Sequence, residues 1–470
     1  MARRHPQTMP TSPFGSEATP GPRLRKGVLL ALLLAATAVR VAGLPSPGTH
    51  DVAVWKTWSY GASQNPFVLY GVGGVPPVRG TVQYGEGVTT VDYPPMALYE
   101  LGLAGVAYRA VHPDYPDTWQ LTAAVKIPGM LAGLLLTAGL YFGVGRLAGP
   151  TAAQWAALAY WLNPATILNA EVLGYLDPLV MAPAVLAFVL AGTGRPAVGA
   201  AALAIALLTK PQALLVGPAF ALAVWRFAGA RGLVRATAAG AATALVVLLP
   251  YLWIGAFPNM WLAFGSWSAR RDIMSAWAAN LWWVVAWITR AYYSIGDFGF
   301  PRAFLVPVRR ILQISSFTKV GLPNPRPIAT GMLAVALGWA YWRARRVKDL
   351  GLIAGLAAFT VHAFFTLSVN VHEHHMMLMV PLLALSGALR PAYRPMFYAV
   401  SGICALNMNL VYGLGMGWGF AFPRALTPID ATVILAFVNL GVFAWHARLF
   451  ARQAGEQAPE PVRFSSGASA

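Results

Sequence analysis

Long apolar runs divide this chain, and a run of about 20 apolar residues can satisfy its backbone in lipid only as a spanning helix. Such runs lie near 27–44, 95–111, 119–142, 151–168, 176–192, 198–225, 236–255, 327–343, 350–370, 376–390, 395–413 and 428–447. They predict an all-α polytopic membrane protein with about 11–13 transmembrane helices. Composition agrees, because 57% of the 470 residues are hydrophobic and only 11% are charged, well outside the range of a soluble domain. The net charge of +18 comes from 34 Lys+Arg against 16 Asp+Glu, and much of the basic excess sits in short segments between runs. That distribution is a positive-inside signal rather than a nucleic-acid footprint. Cys404 is the only cysteine, which excludes an intrachain disulfide and argues against a metal–thiolate cluster.

Residues 1–26 are polar, rich in Pro and Arg, and end in RLRK. They read as a disordered cytoplasmic tail before an uncleaved first span, with a signal peptide as the alternative. One transmembrane domain is expected over 27–452 and a second cytoplasmic tail over 453–470. Residue 26 inside makes 45–94 an outer loop, and the run 95–111 returns the chain to the cytoplasm. The basic segments RFAGARGLVR (226–235), YWRARRVKD (341–349), LRPAYR (389–394) and HARLFAR (446–452) then all fall inside, provided 256–326 is a second outer loop. Its tryptophans suit helices at the outer interface, as does WKTWSYGASQNPFVLYG in the first loop. Short spans interrupted at Asn163-Pro164 and Asp177-Pro178 leave the orientation of 146–195 open. The expected location is the inner (plasma) membrane of a bacterium or archaeon, with the site facing the periplasm or exterior.

Ionisable groups near a bilayer are costly and mark candidate sites. Asp51, Glu86, Asp92 and Glu100 lie in or beside the first outer loop. Each alone also reads as a solvated loop acid, with Asp51 capping the helix VAVWKTW. His372, Glu373, His374 and His375 stand together between two apolar runs. On a helix, His372 and His375 would share a face and could take zinc; they equally suit a phosphate, or simply the lipid headgroups. Lys210, inside ALLTKPQALLVGP, should face the bundle interior and meet an anion. Arg270 and Arg271 lie among tryptophans, where guanidinium groups suit a lipid phosphate.

In order, DVAVWKTW, VDYPPMALY, LLTKPQAL, RDIMSAWAANLWW and VHEHHMMLMVPLLAL resemble the motifs of the dolichyl-phosphate-glucose-dependent glucosyltransferases of the asparagine-linked glycosylation pathway. The resemblance spans most of 49–385 and implies a glycosyltransferase C-type fold that takes sugar from a polyprenyl phosphate on the non-cytoplasmic side. By that resemblance Asp51 corresponds to the catalytic base, Asp92 to the Asp of the Asp-Tyr-Pro-Pro motif and His372 to the histidine that contacts the donor phosphate; Arg271 and Lys210 fall on other motif positions, and their charge suits them to bind the same phosphate. Asp92, Tyr93, Glu373, Asn280 and Asp177 would support the acceptor or the donor sugar. The chain departs from the family pattern at Pro211, at Ser275, Ala276 and Trp277, and at His374, which stands where the motif has a lysine.

Direct displacement at a lipid monophosphate needs a carboxylate to accept the acceptor's proton and cations to steady the departing phosphate. Those cations could replace a divalent metal, so no metal or other cofactor is expected. A retaining mechanism would need a second acid opposite the base, and none is singled out. The expected function is an inverting hexosyltransferase of glycolipid biosynthesis, moving glucose or mannose from a polyprenyl-phosphate-sugar to a lipid-linked or glycolipid acceptor. Membrane lipids are the other expected partners, and nucleic acid is not one. The alternatives are a lipid or polysaccharide transporter, or another enzyme on a similar scaffold such as a protein mannosyltransferase, an aminoarabinose transferase or an oligosaccharide ligase. Against the transporter, the chain lacks an evident inverted repeat.

Overall fold

A computed structural model describes residues 23–71, 80–265, 272–305, 316–319, 321–415 and 429–456. Most of both expected tails lies outside these residues. Apolar runs become helices, and Pro and Gly set their ends. The first helix, α1 (Lys26–Gly43), is followed by α2 (His50–Ala62), a hairpin of β1 (Thr81–Tyr84) and β2 (Gly87–Thr90), and α3 (Pro95–Val111). Strand β1 pairs antiparallel with β2, Thr81 opposite Thr90.

Two helices are too long for one crossing: α4 (Trp119–Trp161) has 43 residues and α8 (Gly217–Trp253) has 37. At 1.5 Å per residue each far exceeds a hydrocarbon layer of about 30 Å. Each doubles back at a glycine in the left-handed region, Gly149 (φ 84°) before Pro150 and Gly229 (φ 63°). Gly133 therefore lies against Tyr160 and Trp161, and Gly145 against Ala153. The arms of α4 match the expected runs 119–142 and 151–168.

Between them come α5 (Pro164–Ile167), α6 (Asp177–Gly192) and α7 (Pro196–Thr209). The expected single run 198–225 is two elements, because α7 ends at Lys210 (φ −154°, ψ 131°) and a 3₁₀ turn, Pro211–Val216, leads into α8. Pro211 cannot donate an N–H and drives the preceding residue out of the helical region. Lys210 thus stands at the end of a helix rather than in the middle of one.

After α9 (Phe257–Gly265) and α10 (Leu281–Phe298), the chain forms α11 (Arg326–Ala344), α12 (Leu350–Leu367), α13 (Met379–Leu389), α14 (Arg394–Tyr412) and α15 (Ala431–Gly455). Helix α12 is apolar and buried on nearly all sides, which makes it the centre of the bundle. By length and composition five segments can cross a membrane: α1, α4, α8 with its preceding turn, α12 and α15. Helices α6, α7 and α13 are shorter apolar helices, all among the described residues.

The basic segments gather at one end. Arg390 reaches Asp349 at 2.7 Å and Gln453 at 3.0 Å, Arg343 donates to the Ala451 carbonyl, and Arg226 to that of Arg345. The loop elements form the other end, and here the structure departs from expectation. The run 95–111 does not return the chain to the opposite side. Gly102 and Gly105 let α3 lie on Ala62 and Ser59 of α2, the Tyr115 and Ser59 hydroxyls meet at 2.9 Å, and Lys56 pairs with Asp117 at 2.6 Å. Both ends of α3 stay beside α2, so the layer at this end extends to about residue 118.

Two buried cations inside the bundle are held by built partners. Arg40 of α1 holds both Glu171 oxygens at 2.8 and 2.7 Å, donates to the Trp161 carbonyl and Thr166, and stacks 4.1 Å from the Trp161 ring. Lys126 of α4 donates to the carbonyls of Ser46, Glu171 and Val172 at 2.6–3.0 Å. Glu171→Leu would leave Arg40, only 1% exposed, without its counter-charge. The expected cost is about 3–5 kcal/mol, with most of it recovered in Arg40→Met/Glu171→Leu. Unfolding midpoints of the two variants in detergent test this; a single variant as stable as the parent would show that the pair does not hold α1 to α4.

Candidate active site

The site is organised by the ten residues NAEVLGYLDP, 169–178. Leu168–Val172 forms a π-turn, a geometry that is rare and frequent at functional sites. Gly174 follows in the left-handed region (φ 76°), and Pro178 starts α6 with the φ a first helical turn requires.

This segment fixes Asp51. The Leu173 carbonyl accepts the Thr49 N–H at 2.9 Å, the Val172 carbonyl accepts the Ser46 hydroxyl, and the Gly174 carbonyl accepts the Trp55 indole N–H at 3.0 Å. A Cβ on Gly48 would come within 2.7 Å of the Leu173 carbonyl oxygen, so this close approach needs glycine there. Asp51 lies in the first turn of α2 behind the N-cap residue Thr49 and is not itself the cap. Burial raises its carboxyl above the ordinary range; His374 lowers it, Glu373 raises it further, and Lys210 and His50 lower it.

The same segment reaches the neighbouring charges. Lys210 donates to Asp177 Oδ1 at 2.6 Å, Asn169 Nδ2 donates to Asp177 Oδ2 at 2.9 Å, and the Tyr175 hydroxyl donates to Glu373 Oε1 at 2.6 Å. His374 joins the two halves. Its Nδ1 lies 3.0 Å from Glu373 Oε1, its Nε2 lies 3.4 Å from Lys210 Nζ, and its ring stacks on Tyr175 at 3.9 Å. A lysine ammonium has no acceptor, so Nε2 accepts from Lys210 and Nδ1 carries the proton given to Glu373. Burial pushes Glu373 up, but the hydrogen bond from His374, with further contributions from His372 and the Tyr175 hydroxyl, outweighs it and holds the carboxyl low. Asp51 therefore sits in the field of a cation, Lys210, and an anion, Glu373, that His374 links.

The histidine stretch is a series of turns between α12 and α13, not a helix. His375 Nδ1 accepts the His372 backbone N–H at 3.3 Å and its Nε2 lies 3.3 Å from the Gln212 amide. No metal-holding group of three or more His, Cys, Asp or Glu occurs among the described residues. His372 is the accessible member, with its side chain 25% exposed and Nδ1 4.0 Å from Glu373 Oε2.

Other expected site residues separate. Tyr93 packs on Trp55 and Trp58, 5.6 Å from the Lys210 ammonium, so it walls the site; the charge of Asp92 acts on Tyr70 and Tyr93. Asn280 does not reach the cluster. Its side chain caps α10 through the Trp283 N–H and donates to the Phe365 and Ser368 carbonyls, which makes it a structural pin. The segment beside it still meets the histidines, with the Ala276 N–H bonded to the Val371 carbonyl at 2.9 Å. Glu100 accepts from Thr209 at 3.4 Å, and Glu86 sits in the exposed hairpin turn. Arg270 and Arg271 lie outside the described residues. Sequence reasoning missed Asn169, Tyr175, Arg40, Lys126 and Glu171. The last three carried a readable signal, a charge within or beside an apolar run.

The chain is similar in structure to ArnT from Cupriavidus metallidurans. The match to ArnT bound to undecaprenyl phosphate has a TM-score of 0.51 and 15% identity over 92% of this chain and 78% of that one. The apo state matches with a TM-score of 0.50 and 15% identity, over 91% and 77%. An Archaeoglobus fulgidus oligosaccharyltransferase matches at a TM-score of 0.41 and 12% identity, over 93% of this chain and 56% of that one. No protein-family model matches the chain, and no curated protein does. The chain shares the helical fold of ArnT.

Proposed function

We propose that the chain is an inverting glycosyltransferase that moves glucose or mannose from a polyprenyl-phosphate-sugar to a lipid-linked or glycolipid acceptor. The observation that carries this reading is one half-buried carboxylate, Asp51, held within the fields of Lys210, His374 and Glu373 at a single end of an apolar bundle. Undecaprenyl phosphate bound to the structural neighbour ArnT supports a polyprenyl-phosphate partner. We read the Asp51 end as the outer face of a bacterial or archaeal inner membrane, because the basic loops lie at the other end.

In this reading the acceptor hydroxyl oxygen attacks the anomeric carbon, the bond from that carbon to the phosphate oxygen breaks, and Asp51 takes the hydroxyl proton. Inversion follows from a single displacement. The raised carboxyl makes Asp51 a stronger base than an ordinary aspartate. The negative phosphate is steadied by His372 and Arg271, with Lys210 adding positive potential while bonded to Asp177 and His374. Asp92 and Tyr93 shape the pocket beside Trp55 and Trp58. Clustering at one end favours an enzyme over a transporter, whose charges would follow a midplane path.

Purified protein given short-chain polyprenyl-phosphate glucose, mannose and galactose, a lipid extract and EDTA is expected to form a labelled glycolipid. Asp51→Asn should slow formation by about 10²–10⁴-fold. Full activity in that variant would remove Asp51 as the base, and dependence on added divalent metal would remove the metal-free mechanism. The pH profile gives a separate check. A base works deprotonated, so the rate should fall as pH drops through the raised Asp51 value, above the ordinary aspartate range near ~4. Glu373→Gln removes a charge that raises Asp51, so the acid limb should move to lower pH. A limb that stays fixed or rises would contradict the assignment.

A further inference from the structure

We infer that the basic end of the bundle carries a separate binding site for an anionic glycerophospholipid. The site does not depend on the reading of Asp51. A cavity of about 900 Å³ opens there between α1, the second arm of α4 and α14. Its lining follows α4 from Thr151 to Ala159 and α14 from Arg394 to Gly402, and continues through Leu162, Asn163 and Pro164. At 1.5 Å per residue each of those helical stretches spans about 12 Å. The cavity is therefore long in the direction of the helices, the shape left by an acyl chain lying along them. Trp155, Leu158, Leu162 and Phe397 make its walls apolar.

One end of the cavity carries a fixed cation. Arg394 donates Nε to the Gly387 carbonyl at 3.1 Å, and its guanidinium lies 4.8 Å from the Trp155 ring. Its two terminal nitrogens have no hydrogen bond among the described residues. The rim beside it is also built: Leu24 lines the cavity, and its backbone N–H and C=O both bond the Gln154 amide, at 3.0 and 3.1 Å. Exposed Arg23 and Arg25 flank Leu24 in the chain. An apolar channel within spanning helices, capped by an oriented guanidinium and edged by two more, matches a lipid tail joined to a phosphate.

The test uses the full chain in detergent, equilibrated with micelles of equal phosphatidylglycerol and phosphatidylcholine, stripped of free lipid and weighed by native mass spectrometry. Phosphatidylglycerol should be retained about tenfold over phosphatidylcholine, and Arg394→Gln should cut that retention by about tenfold. In Gly402→Leu the new side chain enters open space in the cavity, where a Cβ meets nothing within 4 Å. That variant should lose the lipid while melting no lower than the parent in lipid-free detergent. Equal retention of both lipids, no retained lipid, or retention unchanged in both variants would overturn the site.

Discussion

An ammonium group sealed among apolar helices must meet a carboxylate, and the contact of Lys210 with Asp177 at 2.6 Å sets the geometry around it. Lys210 reaches that position because Pro211 ends α7 one residue earlier. Asp177 reaches it because the π-turn and Gly174 bring the chain round just before α6. The nine residues from Asn169 to Asp177 then contact nearly everything at this end: Arg40 through Glu171, Lys126 through the Glu171 and Val172 carbonyls, α2 through Leu173 and Gly174, and the histidine turn through Tyr175. Moving this segment would move Asp51 and its charged neighbours together.

The two ends of the bundle use charge differently. At the basic end, arginines lie near the surface and bond backbone carbonyls or surface acids such as Asp349, contacts that position loops. At the other end, carboxylates and cations are buried and linked in sequence, so each state of charge depends on its neighbours. Such coupling adds little to stability compared with apolar packing, but it lets Asp51 remain a raised carboxyl beside an ionised Glu373.

What the sequence made legible follows from what periodicity records. Apolar runs record which segments avoid water, so the helical bundle, the interfacial helix α2 and the gathering of basic loops could all be read. A run does not record whether it crosses or lies flat, and α3 fails there because Gly102 and Gly105 allow it to lie on α2. A run also does not record where it breaks, as at Lys210. Asp51, Glu373, His374 and Lys210 stood out as charges beside or within apolar sequence. Asn169 and Tyr175 did not, because an amide and a phenol in an apolar segment look ordinary until a π-turn aims them at Asp177 and Glu373. Asn280 shows the opposite failure: a motif position whose side chain is spent holding α10 to α12.

The hydrogen bonds of the histidine stretch bear on whether it could take a metal. Four titratable groups in a row offer enough ligands for zinc, but a zinc-bound imidazole must present an unshared nitrogen lone pair. His374 accepts at Nε2 from an ammonium 3.4 Å away and donates at Nδ1 to Glu373, so a metal would have to displace Lys210 and leave Asp177 buried without its partner. His375 uses Nδ1 to hold the His372 N–H and so fixes the turn. His374 thus bridges a lysine and a carboxylate, whereas His375 spends its nitrogens on the turn and on the Gln212 amide.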